Sequence, residues 1–173
     1  MIDQYAHFFA ASATASAGFT GLLLVALSIV NQDETQHETR ERRTVLAASA
    51  FLALVDIFFV SLVSSLGGTT VLATTSLVMA LVGLFGTSRL MPRAQRAGNF
   101  ARGFPKRKLN LTFAGVAAGG YSTQLVLAAA LLADSYSAGP TRALVFVVVA
   151  LFGSALGRGW EVAGIGHRSP RGS

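Results

Sequence analysis

Five long apolar runs separated by short charged stretches leave this chain few ways to fold. They cover about residues 6–30, 44–66, 69–90, 109–133 and 141–165 of the 173. Each is close to the roughly 20 residues that a helix needs to cross the hydrocarbon of a bilayer. Hydrophobic residues make up 52% of the chain and charged residues 13%, and the mean hydropathy is +0.55. The charges gather between the runs instead of covering the faces of amphipathic elements, as they would in a soluble domain. The expected fold is therefore all-α: an integral membrane protein of five transmembrane helices forming one domain over residues 1–168.

The first run reads as a retained span and not as a cleavable signal, because residues 1–7 carry Asp3 and no Lys or Arg, and the small residues precede the apolar stretch. Residues 169–173 read as a flexible tail, and the final SPRGS resembles in part the remnant of a protease site.

Orientation follows from the positive charges. Arg40, Arg42 and Arg43 follow the first span; Arg93, Arg96, Arg102, Lys106, Arg107 and Lys108 follow the third; the opposite side has only Arg142. The positive-inside rule then places the N-terminus outside and both basic loops in the cytoplasm, together with the C-terminus and its Arg158, Arg168 and Arg171. A net charge of +6 and a pI near 10.8 would suit nucleic acid. The basic residues sit beside spans, however, so anionic lipid headgroups are the nearer partner and no nucleic-acid role is expected.

The two cytoplasmic connections differ in character. Residues 31–43 are polar throughout and place Glu38 four residues before Arg42, which suits a helix running past the membrane or a capped turn with a solvated face. Residues 91–108 mix Pro92, Gly98, Gly103 and Pro105 with Phe100, Phe104 and the basic side chains. That composition predicts a basic interfacial loop in the headgroup zone, where Arg93, Arg96, Arg102, Lys106, Arg107 and Lys108 orient the protein or dock lipid or a partner.

One residue breaks the apolar pattern. Asp56 stands in the middle of the second run (VLAASAFLALVDIFFVSLVSSL). An ionised carboxylate there costs ~2.5 kcal/mol or more on insertion scales, so it must face a partner, a cavity or an ion path. By residue count Tyr121 and Gln124 fall at similar depth in the fourth span, where Gly119 and Gly120 could free backbone carbonyls. Hydroxyls also gather in the outer halves of the spans: Ser12, Thr14 and Ser16; Ser61, Ser64 and Ser65; Thr69, Thr70, Thr74, Thr75 and Ser76; Ser122 and Thr123. Together these suggest an outward-open polar vestibule with Asp56 at its floor. Two plainer readings stand beside it: hydroxyls bonded to their own i−4 carbonyls, and an Asp56 hydrogen-bonded to Gln124 or Tyr121 as interhelical glue.

Small residues recur every four positions: Ala10, Thr14 and Gly18 beside Ala13, Ala17 and Gly21 in the first span, Gly115 and Gly119 in the fourth, Gly153 and Gly157 in the fifth. Such stripes let helix backbones touch, within the chain or between copies in a homo-oligomer. Arg158 and Glu161 near the end of the fifth span read as a snorkelling Arg beside a local counter-ion.

Enzyme chemistry finds little support. Aspartyl catalysis needs two carboxylates sharing a proton, and Asp134 lies at the outer edge of its span. His7, His37 and His167 fall at or beyond span ends, giving neither a metal cluster nor a base for a nucleophile, and there is no cysteine. No cofactor is implied.

Residues 20–29 (TGLLLVALSI), after the small-residue stretch FFAASATASAGF, resemble the first span of a group of small, functionally uncharacterised bacterial membrane proteins, which tend to begin AALTGLLFVALSI. The resemblance covers that one helix. It implies a multi-pass protein of the bacterial inner membrane and transfers no activity or site. The excess of Arg over Lys, which occurs only at Lys106 and Lys108, agrees with a high-GC, actinobacterial type of source.

Two functions fit these features. The first is a homo-oligomeric channel or small-solute transport protein conducting cations or protons, with Asp56 as its midplane site and Gln124, Tyr121, Ser12, Ser16, Thr20 and Ser64 along the path. The second is an accessory or scaffold subunit whose glycine faces and basic loop dock a protein or anionic lipid. The absence of an evident internal repeat argues against a transporter built from inverted halves.

Overall fold

The computed structural model describes residues 5–30, 37–100, 104–134 and 138–162. They form five helices: α1 (Ala6–Val30), α2 (His37–Ser65), α3 (Thr69–Phe100), α4 (Phe104–Ala133) and α5 (Ala138–Val162). All five contain a segment long and apolar enough to cross a membrane, over Ala6–Ser28, Thr44–Ser65, Thr69–Leu90, Gly115–Ala133 and Gly139–Val162. Large apolar side chains such as Phe146, Val126, Leu22 and Phe85 point outward. A surface of that kind suits lipid and would be a liability in water.

The helices α2, α3, α4 and α5 pack side against side in a closed ring of four, while α1 lies along α2 and only grazes α5. Their core joins Ile57 and Val60 of α2, Leu72 of α3, Ala117 and Tyr121 of α4, and Leu144, Val148 and Leu151 of α5. A second cluster seats α1 on α2 and α5: Leu23 meets Leu46, Ala47, Ala50, Ala53 and Leu54, with Ala155 and Val162 beyond. The alanines bring the helices close without the packing defects that a mixture of larger side chains would risk. Phe19 and Phe152 meet edge to face at 5.4 Å across the α1–α5 seam.

One end of the bundle carries the tight α2–α3 connection and the other carries the basic residues; we call them the hairpin end and the basic end. At the hairpin end Gly67 and Gly68 have φ of 93° and 96°, a conformation that costs glycine little and other residues much. The turn is closed by Leu66 N–H donating to the Val63 carbonyl and Gly67 N–H donating to the Ser64 carbonyl.

The basic end differs from the loop expected over residues 91–108. Helix α3 continues through Pro92 to Phe100 and α4 begins at Phe104, so most of this stretch is helix. Proline removes one backbone donor and crowds the preceding turn, and the surrounding Arg and Ala are good helix formers that offset this. Pro105 falls in the first turn of α4, where its missing N–H costs nothing. The polar stretch before the second span likewise becomes helix, with α2 starting at His37. The fifth helix ends at Val162; the expected continuation to residue 165 and the tail lie outside the described residues.

Candidate functional site

The buried polar groups of the ring come from all four of its helices. On α2, Asp56 is 1% exposed; Ser61 is also buried, but five residues on it lies ~140° around the helix from Asp56. Helix α3 contributes Ser76, α4 contributes Gln124 and Tyr121, and α5 contributes Ser154 and Arg158. Among the described residues, Asp56, Tyr121 and Arg158 are the buried ionisable side chains.

The central contact joins two helices that stand diagonally across the ring and otherwise touch little. Gln124 Nε2 donates to Asp56 Oδ1 at 2.9 Å and lies 3.4 Å from the Ser76 carbonyl. One amide thus ties α2, α3 and α4 together. Among the described residues, five buried side-chain atoms have no hydrogen-bond partner: Asp56 Oδ2, Gln124 Oε1, and the hydroxyls of Ser61, Ser76 and Tyr121. Such atoms are rarely left bare in a folded core, where each unmet group costs about 1–3 kcal/mol. Three of the five are hydroxyls, able both to donate and to accept. The set is therefore equipped to hold water or a mobile proton.

Depth orders these groups. At ~1.5 Å of rise per residue, Asp56 and Gln124 both lie ~14 Å from the hairpin ends of their helices, Tyr121 ~18 Å and Ser154 ~24 Å. Helical side chains lean toward the N-terminus of their own helix. On α2 and α4 that direction is toward the basic end, and on α5 it is toward the hairpin end. Tyr121 and Arg158 therefore lean toward each other.

Arg158 corrects the expectation of a snorkelling side chain. It is 2% exposed, its Nε donates to the Ser154 carbonyl at 3.1 Å, and its Nη2 donates to the Ser154 hydroxyl. The reason is directional: on a helix whose N-terminus is at the hairpin end, Arg158 leans into the core and away from the near surface. Sequence reasoning missed this residue because only three positions separate it from Glu161, which offered a local explanation. The helix direction was the signal that could have found it.

The expected path residues divide. Asp56, Gln124 and Tyr121 come together in the ring. Ser64 is buried but its hydroxyl donates to its own helix, at the Val60 carbonyl. Ser12, Ser16 and Thr20 belong to α1, outside the ring of four; Ser16 donates to Ala13 at 2.9 Å and Thr20 to Ser16 at 2.8 Å. Thr14, Ser65, Thr74 and Thr123 are exposed and also bond back to their own helices. The hydroxyl-rich halves therefore do not converge on an open vestibule. Asp56 is enclosed, and Ser76, whose carbonyl lies near the Gln124 amide, is the hydroxyl residue beside it on the hairpin side.

Most positions of the small-residue stripes face outward, Ala13 being the buried exception. A Cβ built on Gly18, Gly21, Gly115, Gly119 or Gly153 would meet nothing within 4 Å, and Gly157 is half-buried. The glycines that matter to packing are others. A Cβ on Gly83 would collide with the Tyr121 ring, one on Gly86 would lie 2.6 Å from Leu52, and one on Gly120 would lie 2.8 Å from Leu151. Gly83 is what lets the Tyr121 ring lie flat beside α3.

Of the expected docking residues, Arg93 and Arg96 fall on α3 and Lys106, Arg107 and Lys108 on α4, while Arg102 lies outside the described residues. Arg89 at the same end sits 4.7 Å from the centroid of Phe85. Among the described residues no group of three or more His, Cys, Asp or Glu could hold a metal ion. No family model, curated protein or solved structure matches the chain.

Proposed function

We propose that this is a membrane conduction protein that carries a small cation or proton through the core of the four-helix ring, with Asp56 as its central site. The observation that carries the reading is the Asp56–Gln124 pair with its partnerless neighbours. A carboxylate placed at mid-depth, held through one oxygen by an amide and bare at the other, is poorly explained as glue, since glue would use both. Intramembrane acids of this kind mark ion and proton routes.

The charge bias sets the direction: the hairpin end faces outside, the basic end lies in the cytoplasm of a bacterial inner membrane, and the N- and C-termini are outside and inside respectively. The outward glycines on α1, α4 and α5 supply surfaces on which copies can associate, so the protein acts as a homo-oligomer in which each protomer has its own route. The basic ends of α3 and α4 rest against anionic headgroups.

A second reading, an accessory subunit that conducts nothing, is favoured by the same outward glycine faces, which suit a different partner equally well. Flux into proteoliposomes separates the two. Wild type under proton, potassium and sodium gradients is compared with Asp56→Asn, which keeps the size and the Gln124 hydrogen bond but cannot ionise. Conduction predicts a flux that the substitution cuts roughly 100-fold or more, the usual scale for removing a positioned proton-transfer group. A folded wild type passing nothing under any gradient would leave the accessory reading standing.

A further inference from the structure

The described part of the ring contains a second buried charge, and its position bears on what can pass. We infer that Arg158 is a selectivity residue on the cytoplasmic side of the Asp56 site, excluding metal cations so that the species carried is a proton. This rests on the conduction reading above and narrows its cargo.

Three observations lead there. First, Arg158 is buried to 2% and anchored twice to Ser154, so its guanidinium is fixed at the core and not withdrawn to the surface. Arginine stays protonated in proteins, so this is a permanent positive charge. Second, residue depth and the lean of each side chain along its helix set the three in the order Asp56, Tyr121, Arg158 toward the basic end. A metal ion leaving Asp56 for the cytoplasm would have to pass the guanidinium without its hydration shell, as in pores where a single Arg excludes cations. Third, the ring core is walled by fully buried side chains, including Ile57, Val60, Leu72 and Leu131, whereas its free polar atoms are hydroxyls, an amide oxygen and a carboxylate oxygen. That set can relay a proton and gives a metal ion few ligands.

The transfer balances simply. A proton from the hairpin-side water binds Asp56 Oδ2 and neutralises it. It then leaves to water entering from the basic end, restoring the carboxylate. Gln124 holds Oδ1 throughout, the Tyr121 hydroxyl can accept and donate in the same hop, and Arg158 exchanges no proton. Net, one proton crosses and no group is oxidised or reduced.

The test uses the full chain in proteoliposomes, with a pH dye and a potassium indicator inside. Wild type should pass protons and, with Arg158 in place, exclude potassium by roughly 100-fold or more at equal gradients. Arg158→Gln should raise potassium flux about tenfold, while Arg158→Lys, which keeps the charge, should continue to exclude it. Wild type passing potassium as readily as protons would overturn the inference and leave the conduction reading intact. So would a folded Arg158→Gln with unchanged potassium exclusion, or an Arg158→Lys that admits potassium. Should Arg158→Gln fail to fold, the wild-type proton-to-potassium ratio and Arg158→Lys decide the matter. No flux of either ion in wild type would defeat both readings together.

Discussion

Helices α1 and α2 lie side by side and are nearly the same length across the membrane, yet the chain uses them in opposite ways. Of the α2 span 56% is buried, against 22% of α1. The α2 span is also the most apolar of the five, with mean hydropathy 2.4 against 1.6 for α1, and it carries the enclosed Asp56. In lipid there is no gain from hiding apolar surface, so hydropathy does not say which helix will be central. What places α2 at the centre is the side chains that reach its neighbours: Asp56 to Gln124, alanines to α1 and α5, and Leu52 to Gly86. What leaves α1 at the edge is that its inward stripe reduces to Phe9, Ala13, Ser16 and Leu23. Its glycines look the other way.

The sharpest way to break this contrast is to overfill the ring. Gly83→Val would drive a branched side chain into the Tyr121 ring, and the ring is itself buried with no room to retreat. Overpacking of this kind costs about 3 kcal/mol at the upper end of its usual range. The variant should lose most of its folded population in a detergent unfolding titration. A Gly83→Val that unfolds at the same denaturant concentration as wild type would mean that α3 and α4 are not pressed together at Tyr121.

A smaller effect is expected at the polar contact. Gln124→Leu keeps the volume and removes the amide, leaving Asp56 Oδ1 as bare as Oδ2 already is. An unmet buried acceptor costs about 1–3 kcal/mol. The midpoint should fall by an amount between those of Gly83→Val and wild type, and Asp56→Leu, which removes the acceptor, added to Gln124→Leu should cost less than the sum of the two alone. Full additivity in that cycle would show that the two side chains do not share their hydrogen bond.

Much of this arrangement was legible beforehand, and the parts that were not have physical causes. The five spans follow from length and composition. The meeting of Asp56 with Gln124 was accessible because both lie at similar depth when counted from the ends of their spans, and few other groups at that depth could answer a carboxylate. Hidden from the sequence was rotation about each helix axis. The four-residue stripes of α1, α4 and α5 were visible, but a stripe does not say whether it faces the bundle or the lipid, and here Gly119 faces out while its neighbour Gly120 meets Leu151. A difference of one residue turns a helix by ~100°, which is enough to exchange the two. The helical course of residues 91–100 was obscured by Pro92 and Gly98, which mark turns in water-exposed loops more reliably than in a helix continuing out of a packed bundle.

The smallest effect on folding is expected on α1, and it is the most informative about association. Gly21 is exposed and a Cβ there meets nothing, so Gly21→Leu should shift the unfolding midpoint by under ~0.5 kcal/mol, as surface substitutions usually do. Its consequence should appear instead between copies. If the outward face formed by Gly18 and Gly21 lets two backbones approach, a leucine holds them apart, and the mass measured in mild detergent should fall to that of a smaller assembly while the fold persists. The matching substitution on α4, Gly115→Leu, tests the alternative face in the same way. An oligomer lost in one and kept in the other would assign the interface to that helix. Loss of folding in Gly21→Leu would mean instead that α1 is not the peripheral helix of the bundle, and the contrast with α2 would fail.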